Sequence, residues 1–413
     1  MVEIISVGQD LASGQTQSLG AAVVARELLQ AGVEVDYTTF VGNREDYLEE
    51  TLRQALLRSS LIFVLGGLGS HRYDITKKIL SRVLNKRLVL DYKVLDKIKQ
   101  RFEKRGEVMP RSEEKQALIL SETELLENPI GMSPGFLLHQ GEAVVIALPG
   151  DPVEIKAIWT QEVLPRLDLQ GLKKVPSDTL ILKTCGLAES TIEEWVRSVV
   201  RSQGNITFSL IPYGEEVEIA IEVKGESPEE VEALRRDLEY KLRRKLGSYL
   251  YGTGEQTLEE VVGSLLALNR KTLAVAESCT GGLICHRLTN VEGSSRYFER
   301  GIISYSNEAK MSLLDVSPEI IREKGPVSAE AAIAMAEGVR WISQTSLGLA
   351  TTGIAGPSGG TPEKPVGLVY IALAAEGRET KSERFYFSGD RNFIKLRASQ
   401  MGLDMIRRHL TSL

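Results

Sequence analysis

The chain has 413 residues, of which 42% are hydrophobic and 26% charged, and its formal net charge is -6. This length is too great for a single hydrophobic core and predicts two or three domains. The negative charge disfavours a nucleic-acid partner, and no apolar run approaches the ~20 residues that a membrane-spanning helix needs.

Residues 1–170 alternate between strand and helix patterns. A strand is predicted at Ile4–Val7, and continuous apolar strands are predicted at Leu61–Leu65 and Ala143–Leu148. An alternating strand is predicted at Val33–Phe40, and Asp74 is placed to cap a following helix. Apolar strands separated by helices indicate a parallel sheet covered on both faces, whose ligands bind at the carboxyl ends of the strands. Glycine turns follow these strands at Gly8, Gly66–Gly69 and Gly150.

A change of composition at Gly171–Lys174 predicts a linker, and residues 171–253 form a separate segment. Its patterns run β-α-β-β-α-β, which is the order of a ferredoxin-like split βαβ module. Ser190 and Glu193 are spaced as a capping box for the first helix, and Ser227 is placed to cap the second. No pattern in this segment indicates chemistry, so we expect a connecting or dimerising module.

Residues 254–413 are predicted to be another α/β domain, beginning with a helix whose capping box is Thr257 and Glu260. The predicted fold class is therefore α/β, with two mainly parallel-sheet domains joined by a small α+β ferredoxin-like module. The predicted strands of the last domain are Thr272–Ala276, Gly301–Tyr305, Leu347–Thr351, Val366–Ala374 and Arg384–Phe387. Its predicted later helices are Leu283–Leu288, Asn307–Leu314, Ala329–Val339 and Asn392–Leu410.

The first strand of this domain runs into a small polar turn, Ser278–Gly282, which a helix follows. A hydroxyl between a strand end and a helix N-terminus meets backbone N–H groups that can bind an anion or a developing oxyanion. Ser278 is therefore a candidate nucleophile, although the same position suits an ordinary helix N-cap. Cys279 is the rival nucleophile, because thiolates are intrinsically more reactive.

A serine nucleophile needs a base, and neither His286 nor His409 is convincingly placed. Lys310 is the alternative, because the start of a helix and partial burial both lower the pKa of an ammonium group. A solvated surface lysine would show the same pattern. Tyr305 precedes this helix, and its phenol is placed to orient Lys310 or to relay a proton.

The segment Thr351–Gly367 contains five glycines and three prolines. Glycines let backbone N–H groups approach an anion closely, although a purely structural loop fits the pattern equally well. Arg391 precedes the last helix, and its forked guanidinium suits a phosphate; an ordinary exposed arginine is the alternative.

These motifs resemble the C-terminal domain of the CinA (competence/damage-inducible) family, whose members act as nicotinamide mononucleotide deamidases. The resemblance implies an α/β amidohydrolase in which Ser278, Tyr305 and Lys310 are catalytic, without a cofactor. It also implies a homodimer and a role in pyridine nucleotide salvage. The three cysteines include no C-x-x-C pair, which predicts a cytoplasmic protein. The predicted substrate-binding residues are Thr280, Gly281, Gly282, Thr352, Gly353 and Arg391.

Residues 1–170 resemble the molybdopterin-binding-like domain of the same family. Some relatives of that domain hydrolyse ADP-ribose with a divalent metal and potassium, which would require oxygen ligands and a carboxylate pair. Here Tyr73 stands where the family has one aspartate of the pair, and Ser18 replaces another polar position. The remaining candidate ligands are Asp10, Asp74 and Glu154. A metal-dependent pyrophosphatase and a non-catalytic competence or damage-response protein are the alternatives to the deamidase.

Overall fold

The computed structural model describes residues 1–169, 176–200 and 204–412. They form two compact units, Met1–Ser177 and Asp178–Leu413. The linker predicted at Gly171–Lys174 lies outside the described residues. Within the described ranges, no helix is long and apolar enough to cross a membrane. The predicted α/β class is confirmed.

The first unit is built around one six-stranded sheet. Its strands are β1 (Val2–Val7), β2 (Tyr37–Val41), β3 (Leu61–Leu65), β4 (Leu88–Leu90), β5 (Leu118–Leu120), β6 (Glu124–Leu126), β7 (Gly135–Gln140) and β8 (Ala143–Leu148). Its helices are α1 (Gln9–Ala12), α2 (Leu19–Gln30), α3 (Glu45–Arg58), α4 (Thr76–Val83), α5 (Tyr92–Lys104), α6 (Pro152–Ile158) and α7 (Leu164–Leu169), with a 3₁₀ turn at Arg111–Ala117 and a π turn at Trp159–Val163.

The main sheet has the order β2-β1-β3-β8-β7-β6, while β4 and β5 pair separately. Neighbours from β2 to β8 are parallel, and β7 and β6 are antiparallel. Every residue of β1 and β3 is buried, because the central strands of a parallel sheet are covered on both faces.

Two local predictions in this unit are wrong. The strand predicted at Val33–Phe40 begins only at Tyr37. Asp74 does not cap α4, which starts after Ile75; its carboxylate instead accepts a hydrogen bond of 2.8 Å from the His71 amide. A short polar residue before a helix can bond to its own turn as readily as to the helix.

The second unit begins with an α+β module. Its elements are β9 (Ser177–Cys185), α8 (Glu189–Val200), β10 (Ile206–Tyr213), β11 (Glu216–Lys224), α9 (Pro228–Leu246), a 3₁₀ turn at Gly247–Tyr249, and β12 (Leu250–Thr253). The sheet order is β10-β11-β9-β12, and the predicted β-α-β-β-α-β order is found. Ser190 lies inside α8, which begins at Glu189, so the predicted cap there is wrong.

The rest of the second unit surrounds a five-stranded sheet. Its strands are β13 (Leu273–Glu277), β14 (Phe298–Ile303), β15 (Leu347–Gly353), β16 (Leu368–Ala375) and β17 (Lys381–Tyr386). Its helices are α10 (Leu258–Leu268), α11 (Leu283–Thr289), α12 (Asn307–Leu314), α13 (Pro318–Glu323), α14 (Ala329–Ser343) and α15 (Arg391–Thr411), with a 3₁₀ turn at Ser294–Arg296.

The strand order is β14-β13-β15-β16-β17. The first three strands are parallel, and β16 and β17 run antiparallel to their neighbours. Helices α10, α11 and α15 share one hydrophobic core, and α14 packs in a second. The capping box of Thr257 and Glu260 is confirmed. This arrangement brings the carboxyl ends of β13, β14 and β15 to one edge of the sheet.

Candidate active site

Ser278 lies at this edge, directly after the buried strand β13. Its side chain is nearly buried, with 7% of the residue exposed. Its backbone N–H donates to the Thr351 carbonyl at 3.0 Å, which continues the pairing of β13 with β15. The serine is therefore held by the sheet.

Lys310 meets Ser278 from helix α12, which Ser306 caps by accepting the Ala309 N–H at 3.0 Å. The lysine is only 2% exposed, and its Nζ lies 3.0 Å from Ser278 Oγ. Nζ also lies 2.9 Å from the Ser304 carbonyl and 3.3 Å from the Tyr305 carbonyl. Burial lowers the pKa of this ammonium group, because desolvation penalises the charged form.

These contacts are compatible with a neutral amine. An uncharged lysine has two N–H donors and one lone pair, whereas an ammonium has three donors. Two carbonyl oxygens can accept the two N–H groups, which leaves the lone pair facing the Ser278 hydroxyl. Among the described residues no carboxylate forms an ion pair with Lys310, so its charged form is stabilised only by neutral oxygen acceptors.

The helix start after Ser278 differs from the prediction. The fully buried Glu277 carboxylate accepts hydrogen bonds from the amides of Gly282, Ile284 and Cys285 at 2.8, 3.2 and 2.8 Å. These N–H groups of α11 are therefore not available to a substrate. This role of Glu277 could not be predicted, because in the sequence Glu277 is only a polar residue at the end of an apolar strand.

The backbone N–H of the exposed Gly281, close to Ser278 in the chain, is available to a ligand. In the described part of the chain, the amides of Thr280 and Gly281 have no hydrogen-bond partner. Gly281 has φ +61°, a left-handed conformation that favours glycine. The Thr280 side chain is not available, because it is buried and its Oγ1 lies 2.8 Å from Thr351 Oγ1. Because the whole of Thr280 is buried, neither its side chain nor its backbone meets a ligand in this structure, contrary to the prediction.

Tyr305 is not placed as predicted. Strand β14 ends at Ile303, and Tyr305 lies beyond it with 62% of the residue exposed. Its phenol does not contact Lys310; it accepts a hydrogen bond of 2.9 Å from Nη2 of Arg391. Only the backbone carbonyl of Tyr305 reaches the lysine.

Arg391 is the first residue of α15, whereas the predicted helix began at Asn392. Its Nη1 donates to the Gly356 carbonyl at 2.8 Å, so the guanidinium links the glycine-rich loop to Tyr305. Lys395 follows one helical turn later and was not predicted as a site residue. A Cβ placed on Gly281 would lie 3.5 Å from Lys395 Nζ. Two cations of α15 thus lie close to the groups around Ser278.

Thr352 and Gly353 lie in the predicted region but have internal partners. Thr352 is buried, and its hydroxyl donates to the Pro326 carbonyl at 2.6 Å. A Cβ on Gly353 would lie 2.7 Å from the Leu368 carbonyl, so close strand packing explains this glycine. The contacts that these two residues make are therefore internal ones, which stabilise the loop and the sheet.

The cysteine alternative is poorly supported by its surroundings. Cys279 is buried, and burial raises the pKa of its thiol to about 12. Burial also raises the pKa of the Cys285 thiol. Since the thiolate is the reactive form, both side chains are held in their unreactive state.

The first unit contains a separate cavity of about 650 Å³ at the carboxyl ends of β1, β3 and β8, where the predicted glycine turns lie. Asp10, Asp74 and Glu154 all line it. Asp10 accepts from the Thr16 hydroxyl, and Glu154 accepts from Asn128 Nδ2 at 2.7 Å. Within residues 1–169, 176–200 and 204–412, no three or more His, Cys, Asp or Glu side chains form a group that could hold a metal ion. The three predicted ligands therefore do not fit a metal site.

Family models match the chain in three consecutive segments. Residues 3–169 match "Probable molybdopterin binding domain", 179–252 match "Damage-inducible protein CinA KH domain", and 255–410 match "CinA C-terminal domain".

Relatives extend this likeness over the whole length. CinA-like proteins of Dictyoglomus turgidum and Dictyoglomus thermophilum are 41% and 40% identical over 413 residues, which is 100% of this chain and 99% of each relative. A solved structure of the competence/damage inducible protein CihA from Agrobacterium tumefaciens is 36% identical over 36% of this chain and 94% of its own, with a TM-score of 0.35. Since full-length relatives align with it from end to end, the chain belongs to the CinA family.

Proposed function

We propose that the chain is a nicotinamide mononucleotide deamidase, which hydrolyses the substrate carboxamide to nicotinic acid mononucleotide and ammonia. The observation that carries the proposal is the buried Lys310 amine, 3.0 Å from Ser278 Oγ and otherwise facing carbonyl oxygens. A hydroxyl with an adjacent neutral amine is a nucleophile with its base, as in Ser-Lys hydrolases. The substrate is proposed from the resemblance of the Ala274–Gly282, Tyr305–Lys310 and Thr351–Gly367 motifs to the CinA deamidase domain.

In the first half of the reaction, Lys310 Nζ takes the Ser278 hydroxyl proton while Oγ attacks the carboxamide carbon. The carbonyl oxygen becomes an oxyanion, and the unpartnered amide of the exposed Gly281 is proposed to stabilise it. When the intermediate collapses, the C–N bond breaks and the leaving nitrogen takes the proton from Lys310. Ammonia departs, and an ester remains on Ser278.

In the second half, water replaces ammonia. Neutral Lys310 removes a proton from this water as the water oxygen attacks the ester carbon, and the Gly281 amide is proposed to stabilise the new oxyanion as well. Collapse breaks the bond to Oγ, which recovers the proton from Lys310. Nicotinic acid mononucleotide leaves, and Ser278 and Lys310 return to their starting states.

The substrate phosphate is proposed to bind near the start of α15. Arg391 has N–H groups beyond those bonded to Gly356 and Tyr305, and Lys395 lies one turn away on the same side of the helix. Tyr305 is proposed to hold the Arg391 guanidinium in place at the mouth of the site. The phenol is hydrogen-bonded to Arg391 and not to Lys310, so we do not propose that Tyr305 relays a proton to the lysine.

The test is to incubate the full chain with nicotinamide mononucleotide and measure both products. We expect ammonia and nicotinic acid mononucleotide in equal amounts. Nicotinamide riboside, which lacks the phosphate, is the matched control and should react with a much higher KM. Release of nicotinamide instead of ammonia, or no turnover of the mononucleotide, would contradict the proposal.

A further inference from the structure

The helix that carries Arg391 and Lys395 also makes hydrogen bonds to the α+β module. Its residues Gln400 and Asp404 are almost completely buried, and Arg407 donates to the Ser248 carbonyl of the module. One helix thus extends from the candidate active site to the module. This raises the question of whether the module affects the site.

The turn between β10 and β11 fits closely against Gln400. Gln400 Nε2 donates to the Tyr213 carbonyl at 2.7 Å, and its Oε1 accepts the Glu215 N–H at 2.7 Å. Gly214 between them has φ +71°, and a Cβ there would lie 2.1 Å from Gln400 Oε1. The buried Gln400 amide is therefore hydrogen-bonded to backbone groups on both sides of Gly214, and these bonds hold the turn against α15.

The next residue of the turn continues the connection towards the active site. The Glu215 carboxylate pairs with Arg397, whose Nε donates to it at 2.6 Å, and both side chains are about four-fifths buried. Arg397 Nη1 also donates to the carbonyl and hydroxyl of Ser388 at 3.2 and 3.1 Å. Its guanidinium packs over the ring of Phe393. Arg397 therefore links the module to the segment that leads directly into Arg391.

We propose that the β10–β11 turn positions the start of α15, so that Glu215, acting through Arg397, sets the affinity of the site for its substrate phosphate. The substrate part of this inference rests on the proposed function. Ser278 follows β13 and Lys310 lies in α12. The hydrogen bonds of Arg397 reach Glu215 and Ser388 and do not involve these two residues. The turn should therefore affect KM more than kcat.

The first measurement is hydrogen exchange and needs no substrate. In the full chain, Glu215→Gln should speed amide exchange in residues 388–395 by several-fold, because the segment loses a partner that holds it closed. Glu193→Gln is the matched control, since it removes an exposed ion pair with Arg197 within α8 of the same module. Equal exchange in wild type and Glu215→Gln would overturn the inference, whatever the enzyme's activity.

The second measurement is steady-state kinetics with nicotinamide mononucleotide. Glu215→Gln should raise KM about three- to fivefold with kcat within about twofold, as expected for loss of one partly buried ion pair. Arg397→Gln combined with Glu215→Gln should raise KM no further than Arg397→Gln alone, because the two residues act in series. Additive effects, or a fall in kcat with unchanged KM, would contradict positioning. A wild-type chain without turnover would reject the proposed function, while the exchange result would still decide the positioning role.

Discussion

At the scale of single residues, the chemistry depends on the contrast between Ser278 and its neighbour Cys279. Both lie in one turn, but Ser278 Oγ faces Lys310, whereas burial raises the pKa of the Cys279 thiol to about 12. Local position alone could not separate the two in the sequence. The buried surroundings of each side chain separate them in the structure.

Substituting the two residues tests this contrast. Ser278→Ala should lower ammonia release from nicotinamide mononucleotide on the order of 10³-fold or more, because the nucleophile is gone. Cys279→Ala should keep kcat within a few-fold, since it removes only a buried thiol. Thermal unfolding of both variants checks that they are folded. An active Ser278→Ala and an inactive Cys279→Ala would reverse the assignment.

The sequence predicted the partnership of Ser278 and Lys310 but not the details around it. Strands β13 and β14 are parallel neighbours, with Glu277 paired to Ile303, so residues following both strands meet at one sheet edge. The place of the Tyr305 phenol depends on where β14 ends, and strand ends are poorly encoded by residue pattern. The hydrogen bonds from the amides at the start of α11 to Glu277 depend on the direction in which the Glu277 side chain points. The spacing of residues in the sequence does not specify that direction.

At the scale of elements, the turn between β13 and α11 exposes the Gly281 amide, and Gly281 itself has a left-handed conformation. The sequence indicated the turn through its paired glycines. It did not indicate that Lys395 approaches that turn, because the two are more than a hundred residues apart in the chain. Likewise, the antiparallel pairing of β16 and β17 was not visible in their apolar patterns.

Alanine at Gly281 tests the role of the turn. With φ +61° at this position, Gly281→Ala should cost about 1–2 kcal/mol of stability and should lower kcat by about tenfold or more as the amide moves. Gly377→Ala is the matched control, because Gly377 has φ +70° with no atom near its Cβ position. The two variants should unfold at similarly lowered temperatures, but only the first should lose kcat. Unchanged kcat in Gly281→Ala would remove this amide from the mechanism.

At the scale of the whole molecule, all proposed catalytic and phosphate-binding residues lie in the second unit. Residues 176–413 should therefore deamidate nicotinamide mononucleotide with kcat within about twofold of the full chain. This segment includes all of β9 and the β10–β11 turn. Circular dichroism shows whether the segment is folded. A folded segment without turnover would mean that the first unit supplies part of the site.

The first unit should lack metal-dependent hydrolysis of ADP-ribose. Its cavity carries acidic side chains that do not gather into a metal site. We expect no phosphate release above background from the full chain with ADP-ribose, magnesium or cobalt, and potassium, when phosphatase is added to detect the products. Robust metal-dependent turnover that persists in Ser278→Ala would contradict this expectation.

The central claim is that a neutral Lys310 accepts the Ser278 proton, and the pH dependence of kcat/KM tests it most directly. Protonated Lys310 cannot act as a base, so activity should be low at low pH and should rise through a pKa below the ~10.4 of a free lysine. Lys310→Arg should lose kcat nearly as completely as Lys310→Ala, because arginine keeps its charge. An active Lys310→Arg variant, with raised KM and the same pH profile as wild type, would contradict the account.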